Sequence, residues 1–353
     1  MKNLYVLSLL LVIAGSISAQ SYNNPESAVY DPVNDQYLIS NAGNGTIVAA
    51  DVNSHSLSNF ITTGLNSPKG MTVANGNLYV ADVNQVHIIS LSSGSITQSV
   101  NITDAQQLND LTANANGDSL FITDIQANKI FYMTANGAND LLSDAGSLDA
   151  PNGILFDASN QLLVVSFISN SPIEEIDRDD GIVSFSMGTA ISELDGLTQA
   201  PDGTYYVSSW DLDVVLHFSS KYSPPSASDI AVSNVTDPAD IYYDSQYDVL
   251  IVPEFSANNV KFIDASALGV DQAKGEEITI YPLPAKEQTT INIPDKYLNQ
   301  QYQATIYTLS GQKVQEYSLN QSAITISDLP AATYLVQFQL GDVVKTMKMV
   351  FAE

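Results

Sequence analysis

The chain of 353 residues contains no cysteine. That absence excludes a disulfide framework, a cysteine nucleophile, thiolate metal ligands and a lipidated N-terminal cysteine. Histidine is scarce: only His55, His87 and His217 occur, and with thiolates missing too, zinc loses its usual ligands. Basic residues are few, with 12 Lys and Arg against 39 Asp and Glu and a net charge of −27. Such a surface repels phosphate backbones, so nucleic acid is excluded as a partner and cations are the natural counter-species. No G-x-S-x-G motif occurs, and no histidine falls on a repeated motif, so a Ser-His-Asp hydrolase is not indicated. Sustained 3.6-residue periodicity is missing as well.

Long apolar runs are also lacking. Leu4–Ile13 is too short to cross a bilayer, which takes about 20 residues. With Lys2 before it and small residues as far as Ala19, it reads as a cleavable signal peptide over residues 1–19, leaving Gln20 first. The expected mature protein carries no membrane span.

What the sequence does have is a repeat. Six segments align, beginning at Pro25, Pro68, Leu108, Pro151, Leu194 and Pro238. Their second residues, Glu26, Lys69, Asn109, Asn152, Asp195 and Ala239, are spaced by 43, 40, 43, 43 and 44. Each segment reads as a short apolar strand, a tight Asn/Asp/Gly turn and a second apolar strand. A third strand is expected at Thr46–Ala50, Val86–Leu91, Lys129–Tyr132, Val214–Phe218 and Val260–Ile263. Four short strands per roughly forty residues is the arithmetic of a β-propeller. The fold expected is all-β, with a six-bladed propeller over residues 20–268. The sixth repeat shows no obvious outer strand after Asp264, and only Gln20–Asn24 precede the first, so the sequence leaves open how the ring closes.

In a propeller the start of each repeat is the innermost strand, so equivalent positions sit at one height around a central channel. Four of the six second residues, Glu26, Asn109, Asn152 and Asp195, carry oxygen donors suited to a hard cation. Calcium takes 6–8 oxygens from carboxylates, amide carbonyls and water, so this ring is the candidate site for calcium or another divalent cation. A second polar ring follows the second strand: Asn41, Asp82, Asp124, Phe167, Ser209 and Glu254. Asp82 and Asp124 read there as braces for turns through backbone hydrogen bonds. Trp210, beside the mouth, suits packing or stacking on a sugar. The run Glu174–Asp180 matches no EF-hand spacing and reads as a solvated loop.

From residue 269 the composition changes. Residues 21–268 carry a net charge of −25, residues 269–353 only −3. Alternating apolar residues there describe a small C-terminal β-sandwich. Tyr281-Pro282 with Pro284, Ile306-Tyr307, Gly311-Gln312-Lys313-Val314, Leu329 to Val336, and Lys345 with Lys348 resemble the C-terminal sorting domain of the type IX secretion system. One departure is Ala332 before Thr333-Tyr334, where that family more often has Gly. The resemblance implies engagement of the secretion machinery, passage across the outer membrane, and a secreted or cell-surface location. A carbohydrate-binding or adhesive sandwich is the alternative.

The propeller resembles the senescence marker/gluconolactonase family of six-bladed calcium-dependent lactonases. The marks are Glu26 in repeat one, Asn109-Asp110 in repeat three, Pro151-Asn152-Gly153 in repeat four and Asp195-Gly196 in repeat five. The resemblance implies a metal held by Glu26, Asn152 and Asp195, with Asn109 at the metal or substrate and Asp195 as the catalytic base. Its substrate would be a small lactone or a sugar-like ligand. Gln107 and Leu111-Thr112 stand where that family has an Arg and a Lys for sugar-acid oxygens. A non-catalytic propeller that binds a ligand, glycan or protein at the cell surface is the other function class.

Overall fold

The computed structural model describes residues 21–144, 146, 148–268, 278–281, 285–286, 288–293, 302–308, 312–321, 323–340 and 343–351. The leader read over residues 1–19 lies outside the described residues, as do Gln20, Pro282, Pro284 and Gly311. The chain divides into two compact units at Leu268 and Gly269. Among the described residues no helix is long and apolar enough to cross a membrane.

The first unit is a ring of six antiparallel sheets. Its inner strands are Pro25–Asp31, Pro68–Ala74, Leu108–Ala113, Pro151–Phe156, Leu194–Gln199 and Tyr242–Asp244. The second strands, Gln36–Asn41, Asn77–Asp82, Ser119–Asp124, Leu162–Ser166, Tyr205–Ser209 and Val249–Glu254, are almost wholly buried. Both of their faces are covered because each blade is sandwiched between two others. Leu38 therefore packs toward blade two while Tyr37 and Ile39 pack toward blade six, the two-residue alternation of a strand. The chain reverses through left-handed Asp35, Asn75, Asn128, Asn160, Asp213 and Asp248, which explains its wealth of Asn and Asp.

Third strands run over Thr46–Asp51, Gln85–Ser90, Lys129–Thr134, Pro172–Ile176, Val214–Phe218 and Asn259–Asp264. Pro172–Ile176 corrects the reading of Glu174–Asp180 as a solvated loop. Glu174 lies within that strand and is buried, and Glu175 pairs with Lys221. Blades one to five add an outer strand; among the described residues the sixth sheet has three strands.

Among the described residues no strand is shared between the first and last blades. The ring closes instead by an apolar seam of Ala28, Tyr37, Ile39 and Val48 against Ile251 and Val260. It is one of six apolar clusters that fill the six gaps between blades. Across it the Asp240 amide donates to the Glu26 carbonyl at 2.9 Å. Ser27 Oγ donates to Asp240 at 2.5 Å, and the Asn24 amide to Asn258 Oδ1 at 2.7 Å.

The second unit has two antiparallel sheets. One orders Thr279–Tyr281, Gln288–Asn292 and Ala323–Ser327; the other orders Lys313–Ser318, Gln303–Thr308, Ala332–Leu340 and Val343–Phe351. Ile280, Ile291 and Ile326 from the first meet Ile306, Val336, Phe338 and Met349 from the second in a common core.

Candidate functional site

The inner strands explain why one side chain per blade turns to the channel. In each of blades one to five the first inner residue pairs with the last residue of the second strand, as in Pro25 with Asn41 and Leu194 with Ser209. The pairing then slips before resuming. A slip of this kind is a β-bulge, which re-aims the residues within it. Glu26, Lys69, Asn109, Asn152 and Asp195 all fall in that slip. The next residue faces the adjoining blade closely. A Cβ on Gly153 would lie 2.2 Å from the Asp195 carbonyl oxygen, and one on Gly196 2.4 Å from the Ile241 nitrogen. That closeness is why Gly follows Asn152 and Asp195.

The ring converges. Asn109 Nδ2 donates to Asn152 Oδ1, and Asn152 Nδ2 donates to Asp195 Oδ2 at 3.1 Å. Lys69 Nζ binds Glu26 Oε1 at 2.9 Å. Glu26, Asn109, Asn152 and Asp195 are each at most 4% exposed. Three of their oxygens, Glu26 Oε2, Asn109 Oδ1 and Asp195 Oδ1, are buried without a hydrogen-bond partner. Asn152 has both amide atoms engaged, so it acts as a strut that orients Asn109 and Asp195. Ala239 closes the circle in blade six and contributes no polar group.

Two further carboxylates adjoin the ring in sequence: Asp110, which the sequence reading named without a role, and Asp240, which it did not name. Asp110 and Asp240 occupy the third inner position, where blades two, four and five have Gly. Asp110 accepts the amides of Leu111 and Ile154 at 2.7 and 2.9 Å, stitching blade three to blade four. Their signal was in the repeat alignment: an acid where its counterparts are small.

Burial sets the electrostatics. Desolvation raises the Glu26 carboxyl although Lys69 opposes it. Desolvation and then repulsion from Glu26 hold Asp195 well above the usual carboxylate range. Asp110 is pushed up to about 8, mainly by desolvation; desolvation and repulsion from Asp110 raise Asp240 too. Desolvation would lower Lys69, but Glu26 more than offsets it and the amine stays charged. Four acids around one ammonium favour added positive charge, as protons or as a cation.

The outer polar ring is structural. Asp82 accepts the Asn66 and Ser67 amides at 2.8 and 2.7 Å and meets His87 Nε2 at 3.1 Å. Asp124 accepts the amides of Gln106, Gln107, Gln126 and Ala127. Glu254 accepts the Thr236 amide, and Asn41 the Asn23 amide. The member from blade four is Ser166, which pairs with Pro151; Phe167 lies one residue beyond, a correction to the sequence alignment. His55 stacks on Phe262, and His217 packs against Tyr206.

Among the described residues no group of three or more His, Cys, Asp and Glu side chains forms a metal site. The free donors in the ring are two carboxylates and one amide, a mixed oxygen set of the kind calcium accepts. The three unpartnered oxygens fit such an ion, and Lys69 leaves Glu26 Oε2 open for it.

A family described as the secretion system C-terminal sorting domain matches residues 279–352. The tail is therefore a sorting domain of the type IX system, and the protein is exported to the cell surface or secreted. Solved structures similar to the chain are propeller-like. An auxiliary nutrient binding protein from Bacteroides thetaiotaomicron is 10% identical with a TM-score of 0.55, over 69% of this chain and 70% of that one. Virginiamycin B lyase from Staphylococcus aureus is 14% identical with a TM-score of 0.51, over 76% and 90%. Hydrazine synthase from Kuenenia stuttgartiensis is 13% identical with a TM-score of 0.53, over 72% and 80%. Likeness at this identity speaks to fold alone. No curated protein matches the chain.

Proposed function

We propose that this exported propeller is a calcium-dependent hydrolase whose substrate is a lactone. The observation that supports it is the trio of buried, unpartnered oxygens, Glu26 Oε2, Asn109 Oδ1 and Asp195 Oδ1, in one ring at the end of the channel. Leaving such atoms unpaired costs about 1–3 kcal/mol each, so a bound species is expected to satisfy them. Glu26, Asn109 and Asp195 would hold the ion, with Asn152 steering two of them and adding its carbonyl if its amide turns. When bound, calcium supplies charge that polarises a carbonyl and offsets the oxyanion that develops. Asp195 orients the attacking water and accepts its proton. Desolvation raises Asp195 in the metal-free ring; a bound ion would keep it ionised, which favours positioning the water over strong basicity. Lys69 neutralises Glu26 so that two acids can face one space.

One observation favours a second reading. Lys69 already places a cation on Glu26, which suits a non-catalytic propeller whose ring receives the hydroxyl or amine groups of a ligand. The two readings part on one experiment. The mature chain is titrated with calcium, magnesium and chelator by thermal shift and then assayed on a lactone panel, with Asp195→Asn in parallel. Calcium is expected to raise the melting temperature by mass action. The substitution is expected to cut turnover at least about 100-fold while the fold survives. No shift with calcium removes the metal. A shift without turnover leaves the binding module, and turnover unchanged in the variant clears Asp195.

A further inference from the structure

One residue beyond the outer polar ring stands another ring with a different character. Its members are Ala42, Val83, Ile125, Phe167, Trp210 and Phe255, one per blade, each following the residue that pairs with the start of the inner strand. The backbone fixes the equivalence. The amides of Ala42, Ile125, Phe167, Trp210 and Phe255 donate to the carbonyls of Asn24, Gln107, Ala150, Glu193 and Asp237, each the residue just before an inner strand. All six are apolar, in a chain of net charge −27, and none is buried.

Three further observations mark this collar as more than turn packing. Phe167 and Trp210 meet edge to face with ring centroids 5.3 Å apart, and Trp210 and Phe255 meet at a tilt with centroids 5.4 Å apart. Each member follows the residue paired with the start of an inner strand, so the collar stands at the end of the blades where Glu26, Asn109 and Asp195 lie. Second, Trp210 Nε1 is buried without a hydrogen-bond partner. Third, Val83 sits in the left-handed region at φ 59° and is 39% exposed. A β-branched residue there is strained, and Asn or Gly would relieve the strain. Strain of this kind is characteristic of functional sites.

We infer that the collar is the subsite for the apolar body of an amphipathic ligand, whose polar head reaches the ring of Glu26, Asn109 and Asp195 beneath. The two rings are separated by about two strand residues, ~7 Å, which matches one small molecule. Trp210 Nε1 is left to donate to an oxygen of that ligand. The class indicated is a lactone or ester with an aryl or acyl substituent, not a polyhydroxy sugar lactone. Gln107 and Leu111-Thr112 supply no charge for sugar-acid oxygens, and the collar supplies no polar side chain other than the indole. The lactone head rests on the function proposed above; the apolar body does not.

Trp210 is the sole tryptophan of the chain, so indole fluorescence reports on the collar alone. The mature chain is titrated with γ-phenyl-γ-butyrolactone and, separately, with glucono-δ-lactone. The aryl lactone is expected to give a saturable change in Trp210 emission, and the sugar lactone none at equal concentration. Phe255→Ala should weaken the aryl lactone at least tenfold while leaving the calcium-dependent melting shift unchanged. Val83→Gly is expected to raise the melting temperature by relieving strain and yet to weaken binding, which keeps the test valid if Phe255→Ala folds poorly. No saturable change with the aryl lactone, an equal response to the sugar lactone, or unaltered binding in both variants overturns the inference. An aryl-lactone response without any calcium shift leaves the collar standing and removes the metal-dependent function.

Discussion

Lys69 is the residue on which the ring's balance turns. It is the single ammonium among Glu26, Asp195, Asp110 and Asp240, and it touches only Glu26. Removing one partner of a buried pair leaves an uncompensated charge that costs about 3–5 kcal/mol. Lys69→Met is therefore expected to lower the melting temperature at neutral pH by many degrees without calcium. It should recover more than the wild type when calcium is added, as read by paired thermal melts. Calcium that rescues both equally would mean that Lys69 is no counter-charge for the ring. At this scale the repeat spacing made Glu26, Asn109, Asn152 and Asp195 legible, because equal offsets in a propeller become equal heights. It did not disclose that Lys69 would bind Glu26, or that Asn152 would spend both amide atoms on its neighbours. Those depend on rotamers across blades, which one-dimensional spacing does not carry. Phe167 was misplaced by one because blade four ends its second strand on Ser166 and so offers no acid to align.

The strands reached the sequence unequally. Second strands are buried on both faces and read as short apolar runs such as Leu162–Val165. Outer strands such as Ser95–Asn101 alternate exposed polar residues at the ring's edge, and such runs resemble loops. Pro172–Ile176 hid for a related reason: Glu174 and Glu175 sit inside a strand, one buried and the other paired with Lys221. The sixth blade is the shortest, with a three-residue inner strand and no outer strand among the described residues. Fewer ladder bonds and less cover give a lower local opening energy. Native-state hydrogen exchange is expected to find the amides of Tyr242–Asp244 exchanging before those of Leu78–Ala81, which lie in a four-stranded blade. Equal protection at both places would mean that the closing seam is as stable as the rest.

For the molecule as a whole, acidity is the governing quantity. Buried acids and a surface of like charge both oppose deprotonation, and they act over one range of pH. The carboxyls of Asp110, Asp195, Asp240 and Glu26 are raised in the folded state, Asp110 to about 8. A raised acid contributes stability that is complete below its unfolded value, roughly 4, and is lost as pH climbs through its folded value. Asp82 has the opposite sign. Despite its burial, bonds from His87 and from the Ser67 and Asn66 amides lower it, and its contribution is lost on acidification below about 4. The melting temperature without calcium is thus expected to peak near pH 4–5 and to fall steadily toward pH 8. Saturating calcium should flatten the alkaline side. A profile that rises from pH 5 to 8 in chelator would contradict the protonated cluster. The acid excess was legible at once from composition; the burial of Glu26, Asp110 and Asp195 together was not, because composition has no address.

The seam between blades six and one has a consequence for how the gene can be rearranged. Its apolar cluster and its few cross-links are of the same kind as those at the other five gaps, and among the described residues no strand from either end of the propeller is woven into the opposite blade. The break in the covalent ring is therefore interchangeable. Joining the segment after Asp264 to Tyr22 by a short linker, and opening the chain instead at Asp104, should yield a circular permutant with the same channel.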